Sequence, residues 1–156
     1  MQPFVKKVHA FLIKKRKTLA VAESCTGGLV SHRITNVSGS SDYFLMGLVA
    51  YSNVTKEKVL CVSPKSLKTH GAVSKKVALE MAQGTKALAN ADIGLAITGI
   101  AGPTGGIKSK PVGLVYIALV TDKKKIVREF HFRGSREQIK RQSSQNALDL
   151  VRRNAQ

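Results

Sequence analysis

Acidic residues are scarce in this chain. Nine Asp and Glu stand against 26 Lys and Arg in 156 residues, leaving a formal charge of +17. That balance attracts polyanions or anionic small molecules, and it also describes an ordinary solvated basic surface. Lys6, Lys7, Lys14, Lys15, Arg16 and Lys17 crowd the first 17 residues with no acid among them. Tryptophan is absent and aromatics make up 5% of the chain, so a platform for stacking nucleic-acid bases is poorly supplied. The two cysteines, Cys25 and Cys61, lack CxxC spacing, which argues against a disulfide framework or a structural zinc site. His9, His32, His70 and His131 form no HxxxH or HxH pair, so no metal is expected. Long apolar runs are missing too. The longest clear one, VGLVYIALV at 112–120, has nine residues, where a membrane helix needs about 20. The N-terminal MQPFVKKVHAFLIKKRK holds no uninterrupted apolar stretch of the kind a signal peptide needs. The expectation is one soluble, cytoplasmic domain over 1–156, with no membrane partner.

What is present alternates. Phe4, Val5, Val8, Phe11 and Leu12 fall at helical spacing and predict a helix over 4–16 whose apolar face could serve an interface between copies. TLAVAE at 18–23 reads as a buried strand. A helix then starts in the glycines of SCTGG and runs to about Val37, carrying Leu29, Val30 and Ile34, before the loop SGSSD. FLMGLVAY (44–51) is a second strand, followed by a short helix over 53–61 that Asn53 could cap. Ser63-Pro64 opens another helical turn, with Ser63 as N-cap and Pro64 at the first helical position, that ends at His70-Gly71. Ser74 caps a helix to about Asn90 with Val77, Met81, Thr85 and Leu88 on one face. DIGLAITGI (92–100), VGLVYIALV and KIVREFHF (125–132) are strands, the last two joined by a hairpin at 121–124. Ser135 caps a final helix with Gln138 at its N3 position, and Ile139, Ser143, Ala147 and Leu150 mark the buried stripe.

Strands alternating with helices predict an α/β layer fold on a mainly parallel sheet, with one antiparallel strand required by the hairpin. Ligands in such sheets gather beyond the carboxyl ends of the strands. Two glycine-rich segments fall there: SCTGG after the first strand and TGIAGPTGG after the third. In the first, a serine at a helix start lies beside unpaired amides, as a nucleophile needs; equally, Ser24 or Thr26 could simply cap the helix. Cys25 is a rival nucleophile, since thiolates are intrinsically stronger, although strand alternation turns it toward the core. The second segment, GIAGPTGGIKSK, resembles a phosphate loop but fails as one: Ile107 stands where glycine is required, and a proline and a strand follow instead of a helix. A serine nucleophile also needs a base. Tyr51 and Lys56 in YSNVTK emerge at the same sheet edge. A lysine serves as base when burial or neighbouring charge lowers its pKa, and is otherwise an ordinary surface residue.

AESCTGG (22–28), GSS (39–41), YSN with Lys56, HGAVS (70–74), TGIAGPTGG (98–106), KPVG (110–113) and the closing FRGSR pattern together resemble the CinA C-terminal domain family, which includes the nicotinamide mononucleotide deamidases. The resemblance covers about 17–151 and looks like the stand-alone form of that family. It implies a three-layer α/β/α sandwich with a mixed five-stranded sheet. It implies an amidase that converts nicotinamide mononucleotide to nicotinate mononucleotide and ammonia without metal or cofactor. It implies Ser24 as nucleophile and Lys56 as base, with Tyr51 close by. Backbone amides around Cys25, Thr26, Gly27 and Gly28 would hold the oxyanion. Thr98, Gly99, Ile100, Ala101, Gly105, Gly106, Arg136 and Arg141 are candidates for the 5′-phosphate of this pyridine nucleotide. Homo-oligomers are expected from the family. A non-catalytic nucleotide- or nucleic-acid-binding module linked to competence is the alternative reading. Where the family has Gly-Asp-Arg before the last helix, this chain has Gly134-Ser135-Arg136, and serine caps about as well as aspartate.

Overall fold

Side-chain size differs between the two faces of the strands, and that difference sets the layers. The computed structural model describes residues 3–154. In chain order its elements are α1 (Pro3–Lys15), β1 (Leu19–Glu23), α2 (Leu29–Thr35), β2 (Phe44–Val49), α3 (Asn53–Leu60), α4 (Pro64–His70), α5 (Lys75–Ala89), β3 (Ile93–Gly99), β4 (Leu114–Val120), β5 (Lys125–His131) and α6 (Arg136–Asn154), with a 3-10 turn at Ser40–Asp42. One sheet face carries Leu19, Val21, Leu95, Ile97, Ile117 and Leu119, and these pack with Val8 and Leu12 of α1, Val30 and Ile34 of α2, and Ile139 and Leu148 of α6. The opposite face offers Ala22, Ala96 and Ala118 to Val77, Met81 and Ala82 of α5. Small residues let α5 lie close. A Cβ on Gly94 would fall 2.1 Å from the Ala82 carbonyl oxygen, so glycine is required there. The result is a three-layer α/β/α sandwich.

The sheet order is β2-β1-β3-β4-β5. β1 pairs parallel with β2 and β3, and β4 pairs antiparallel with β3 and β5. β4 alone therefore runs against the other four, as the hairpin requires. Position in the sheet follows burial: β1 is buried throughout, β3 is buried up to its last residue, and the outer strands β2 and β5 are half exposed. Because β1, β2, β3 and β5 point the same way, the segments that follow all four leave from one edge. Those segments hold Ser24, Tyr51, Ile100 and Arg136.

Several local expectations change in three dimensions. The face of α1 offered as an interface is spent inside the fold, with Val5, Val8 and Leu12 buried against the neighbouring layers. α3 is capped by Ser52, not Asn53: the Thr55 amide donates to Ser52 Oγ at 3.1 Å, and Asn53 is already helical. Ser63 precedes α4 but makes no side-chain cap; Glu80 of α5 instead takes the Ser63 amide and the Ser66 hydroxyl. Ser74 does cap α5. Leu88, expected on the buried face, is 53% exposed. The buried stripe drifts through Ala78, Ala82 and Thr85, and the Lys86 stem lies over Gly94, which leaves Leu88 one position off the contact. Among the described residues no helix is long and apolar enough to cross a membrane.

Candidate active site

Strand β1 delivers Ser24 to the sheet edge and holds it there. The Ser24 amide donates to Ile97 of β3 at 2.9 Å, and the Ala50 amide donates to the Glu23 carbonyl at 2.8 Å, so the serine is tied to the neighbouring strands on both sides. The chain then turns. Gly28, at φ +94°, is the N-cap of α2 and supplies no side chain for capping. The cap comes from Glu23, which is fully buried. One carboxylate oxygen accepts the amides of Gly28 and Val30, both at 3.1 Å; the other accepts the amide and the hydroxyl of Ser31, at 2.8 and 2.7 Å. Neither Ser24 nor Thr26 caps the helix, which removes the capping alternative to a nucleophile, because an anion from the preceding strand already occupies its N-terminus. Thr26 is buried, and its hydroxyl has no hydrogen-bond partner among the described residues.

This arrangement limits what the turn can bind. The Gly27 amide donates to the Ser24 carbonyl and the Gly28 amide to Glu23. Of the four amides expected to hold an oxyanion, those of Gly27 and Gly28 are committed to the protein itself, which leaves the amides of Cys25 and Thr26.

Lys56 sits on the first turn of α3 and is 1% exposed. Its Nζ lies 3.1 Å from Ser24 Oγ, 2.9 Å from the Ala50 carbonyl and 3.1 Å from the Tyr51 carbonyl. Burial pushes the ammonium below the usual lysine range, against an opposing pull from a charged Cys25. That pull is weak at neutral pH, since burial raises the Cys25 thiol to about 12 and keeps it protonated. Cys25 is part of the core and only its edge reaches the cavity. Both cysteines are free.

Ser24 and Lys56 open into a cavity of about 270 Å³. Its walls bring together Cys25, Tyr51, Thr98, Gly99, Ile100, Ala101, Gly105 and Arg136 from the residues singled out in the sequence. Arg136 donates to the Gly102 carbonyl at 2.7 Å and to the Tyr51 hydroxyl at 3.0 Å, bridging two loops across the mouth. The reciprocal Ser135–Gln138 capping box sets this start of α6: the Ser135 amide donates to the Gln138 side chain at 2.7 Å, and the Gln138 amide to Ser135 Oγ at 3.3 Å. Thr26, Gly27, Gly28 and Gly106 do not line the cavity. Arg141 lies farther along α6, paired with Glu137 at 2.6 Å. The cavity also uses residues that the sequence did not place in the site, namely Asn53, Ala72, Val73, Gly102 and Thr104. The HGAVS segment was the available signal for two of them: the Thr98 hydroxyl donates to the Ala72 carbonyl at 2.8 Å, binding that segment to β3. Among the described residues no group of three His, Cys, Asp or Glu is placed to hold a metal.

The CinA C-terminal domain family model matches residues 1–155. A CinA-like protein of Koribacter versatilis is 52% identical over 146 residues, covering 94% of this chain and 35% of its own length. The chain thus spans about a third of the curated relatives it matches. A CinA superfamily protein from Klebsiella pneumoniae superposes with a TM-score of 0.94 at 32% identity, covering 97% of this chain and 95% of that one. One from Escherichia coli gives 0.91 at 34% identity, with 96% and 87% covered.

Proposed function

From the CinA C-terminal domain family, to which this chain belongs, we propose an amidohydrolase in which Ser24 is the nucleophile and Lys56 its base. We assign its substrate as nicotinamide mononucleotide, converted to nicotinate mononucleotide and ammonia. The observation that carries the reading is the set of three contacts at Lys56 Nζ. A neutral amine has two N–H donors and one lone pair. The carbonyls of Ala50 and Tyr51 take the two donors, so the lone pair is left facing Ser24 Oγ. In that state the serine hydroxyl donates to the lysine, which is the alignment proton abstraction needs.

Ser24 Oγ attacks the carboxamide carbon as Lys56 takes its proton. The oxyanion is held by the Cys25 amide, which of the two uncommitted amides is the one on the cavity wall. Collapse of the tetrahedral intermediate breaks the C–N bond, and Lys56 passes its proton to the leaving nitrogen, which departs as ammonia. Water then attacks the acyl-serine ester while Lys56 again removes a proton; its return to Ser24 frees the carboxylate. Arg136 at the mouth is suited to the 5′-phosphate, since a guanidinium meets two phosphate oxygens at once.

Ammonia release from the mononucleotide in EDTA tests this. Ser24→Ala is expected to lower kcat by about 10⁴-fold or more, and Lys56→Met by a comparable factor. Cys25→Ala is expected to stay within about tenfold of wild type, because its thiol is protonated and packed. Folded wild type that releases no ammonia would overturn the assignment. The +17 charge favours a second reading, a nucleotide- or nucleic-acid-binding module. That module would bind Ser24→Ala and wild type equally well, with DNA affinity falling steeply as salt rises.

A further inference from the structure

The cavity at Ser24 is small, about 270 Å³, at the low end of sites that enclose a ligand of nucleotide size. It does not end there. Arg136 also lines a second hollow of about 460 Å³ with Leu29, Lys140 and Arg141. Leu29 and Arg141 in turn line a third, of about 640 Å³, between α2 and α6. Shared lining residues set the three hollows side by side, a trough in outline that leads from the mouth at Arg136 along the seam of the two helices.

The chemistry of the trough changes along its length. Its near part is cationic: Arg136, Lys140 and Arg141 lie within the first two turns of α6. A Cβ placed on Gly27 would fall 3.7 Å from Lys140 Nζ, so that lysine reaches the nucleophile turn. The one acid here, Glu137, is held by Arg141 in an exposed pair of the kind that contributes little and exchanges readily. The far part has an apolar floor from Val5 and Leu29 and a polar rim from His32, Arg33, Asn36, Gln145 and Asn146. Gln145 Oε1 accepts from Arg33, which leaves the amide N–H₂ group of Gln145 to donate elsewhere, and Asn146 donates to the Gln142 carbonyl, which leaves its own side-chain oxygen to accept. An apolar floor under a rim of convergent donors and acceptors is what a heterocyclic base requires. From Arg136 to Gln145 the trough runs roughly 14 Å along the helix at about 1.5 Å per residue, close to the extended reach of one nucleotide.

We propose that this trough is a second-nucleotide site. The chain binds a pyridine dinucleotide in competition with the mononucleotide: carboxamide at Ser24, pyrophosphate on Arg136, Lys140 and Arg141, and the second base between α2 and α6. The proposal rests on the amidase reading for the pose of the carboxamide and on the trough alone for the rest.

Calorimetric titration of Ser24→Ala, which blocks turnover, with nicotinamide adenine dinucleotide and separately with nicotinamide mononucleotide tests it. Asn36 is exposed at the end of α2, so Asn36→Trp in the same background fills the far hollow without disturbing the core. The expected result is dinucleotide binding weakened at least tenfold by Asn36→Trp, with mononucleotide affinity changed less than twofold. Dinucleotide that fails to bind at millimolar concentration, or that binds with equal affinity in both backgrounds, overturns the proposal. Ammonia release from the mononucleotide by wild type is measured alongside. If it occurs while the dinucleotide fails to bind, the trough is refuted and the amidase stands; if it is absent while the Asn36-dependent binding persists, the amidase is refuted and the trough stands.

Discussion

Every polar atom recorded against the Glu23 carboxylate is a donor: three backbone amides and a hydroxyl. Only a carboxylate satisfies all four, because an amide side chain would set its own N–H₂ against one pair of them. Glu23→Gln is therefore not conservative. Hydrogen bonds to a charged group contribute about 1.5–3 kcal/mol each and a buried mismatch adds a penalty, so a loss of about 2–4 kcal/mol is expected. It should be read as a lower denaturant midpoint at unchanged slope. Lys56 works the other way. Burial holds its pKa below the ordinary lysine value of about 10.4. Between the folded value and that one, the unfolded chain binds more protons than the native chain, so stability rises with pH across the interval. Lys56→Met has no such titration. The stability of wild type relative to Lys56→Met should climb as pH rises toward the lysine range, as followed by denaturant unfolding at several pH values; a constant gap would refute the depressed pKa. The rising limb of kcat/KM against pH should lie below the ordinary lysine range for the same reason.

Helix α5 is the element whose placement depends most on missing side chains. A Cβ on Gly84 would lie 1.9 Å from the Leu60 carbonyl oxygen, a backbone atom at the end of α3 that cannot swing aside. Gly84→Ala should force α5 and α3 apart at a cost of about 1–3 kcal/mol, visible as a lowered Tm. Leu88→Ala, on the exposed end of the same helix, should change stability by less than about 0.5 kcal/mol. Elements were legible wherever their signals are local. The capping residues Ser74 and Ser135 and the stripe of Ile139, Ser143, Ala147 and Leu150 follow from neighbours three and four residues apart, and all four stripe residues are buried. The α2 cap was not legible, because its acceptor, the Glu23 carboxylate, lies in the preceding strand and reaches the helix only once the turn has closed. Ser63 misled for a related reason: Glu80, 17 residues away, takes the amide.

At the scale of the whole molecule the +17 charge acts on stability through self-repulsion. Raising ionic strength from about 0.01 to about 0.15 M shortens the Debye length from about 30 to about 8 Å, so like charges on neighbouring elements cease to see one another. Thermal unfolding at pH 7 should shift upward by a few degrees over that range, at about 2–4 °C per kcal/mol for a chain of this size; an unchanged Tm would mean the repulsion is already balanced locally. The fold class, the element order and the edge at which the site forms follow from the chain's own alternation of period and punctuation, which are short-range properties. The family resemblance names Ser24 and Lys56 together, but the 3.1 Å contact between them across 32 residues and the approach of Arg136 to Tyr51 across 85 came only with the assembled sheet. So did the commitment of the Gly27 and Gly28 amides and the trough between α2 and α6. Periodicity and capping depend on neighbours a few residues apart along the chain, whereas a lysine's proton affinity or a groove's charge depends on which distant groups the packed layers bring within a few ångströms.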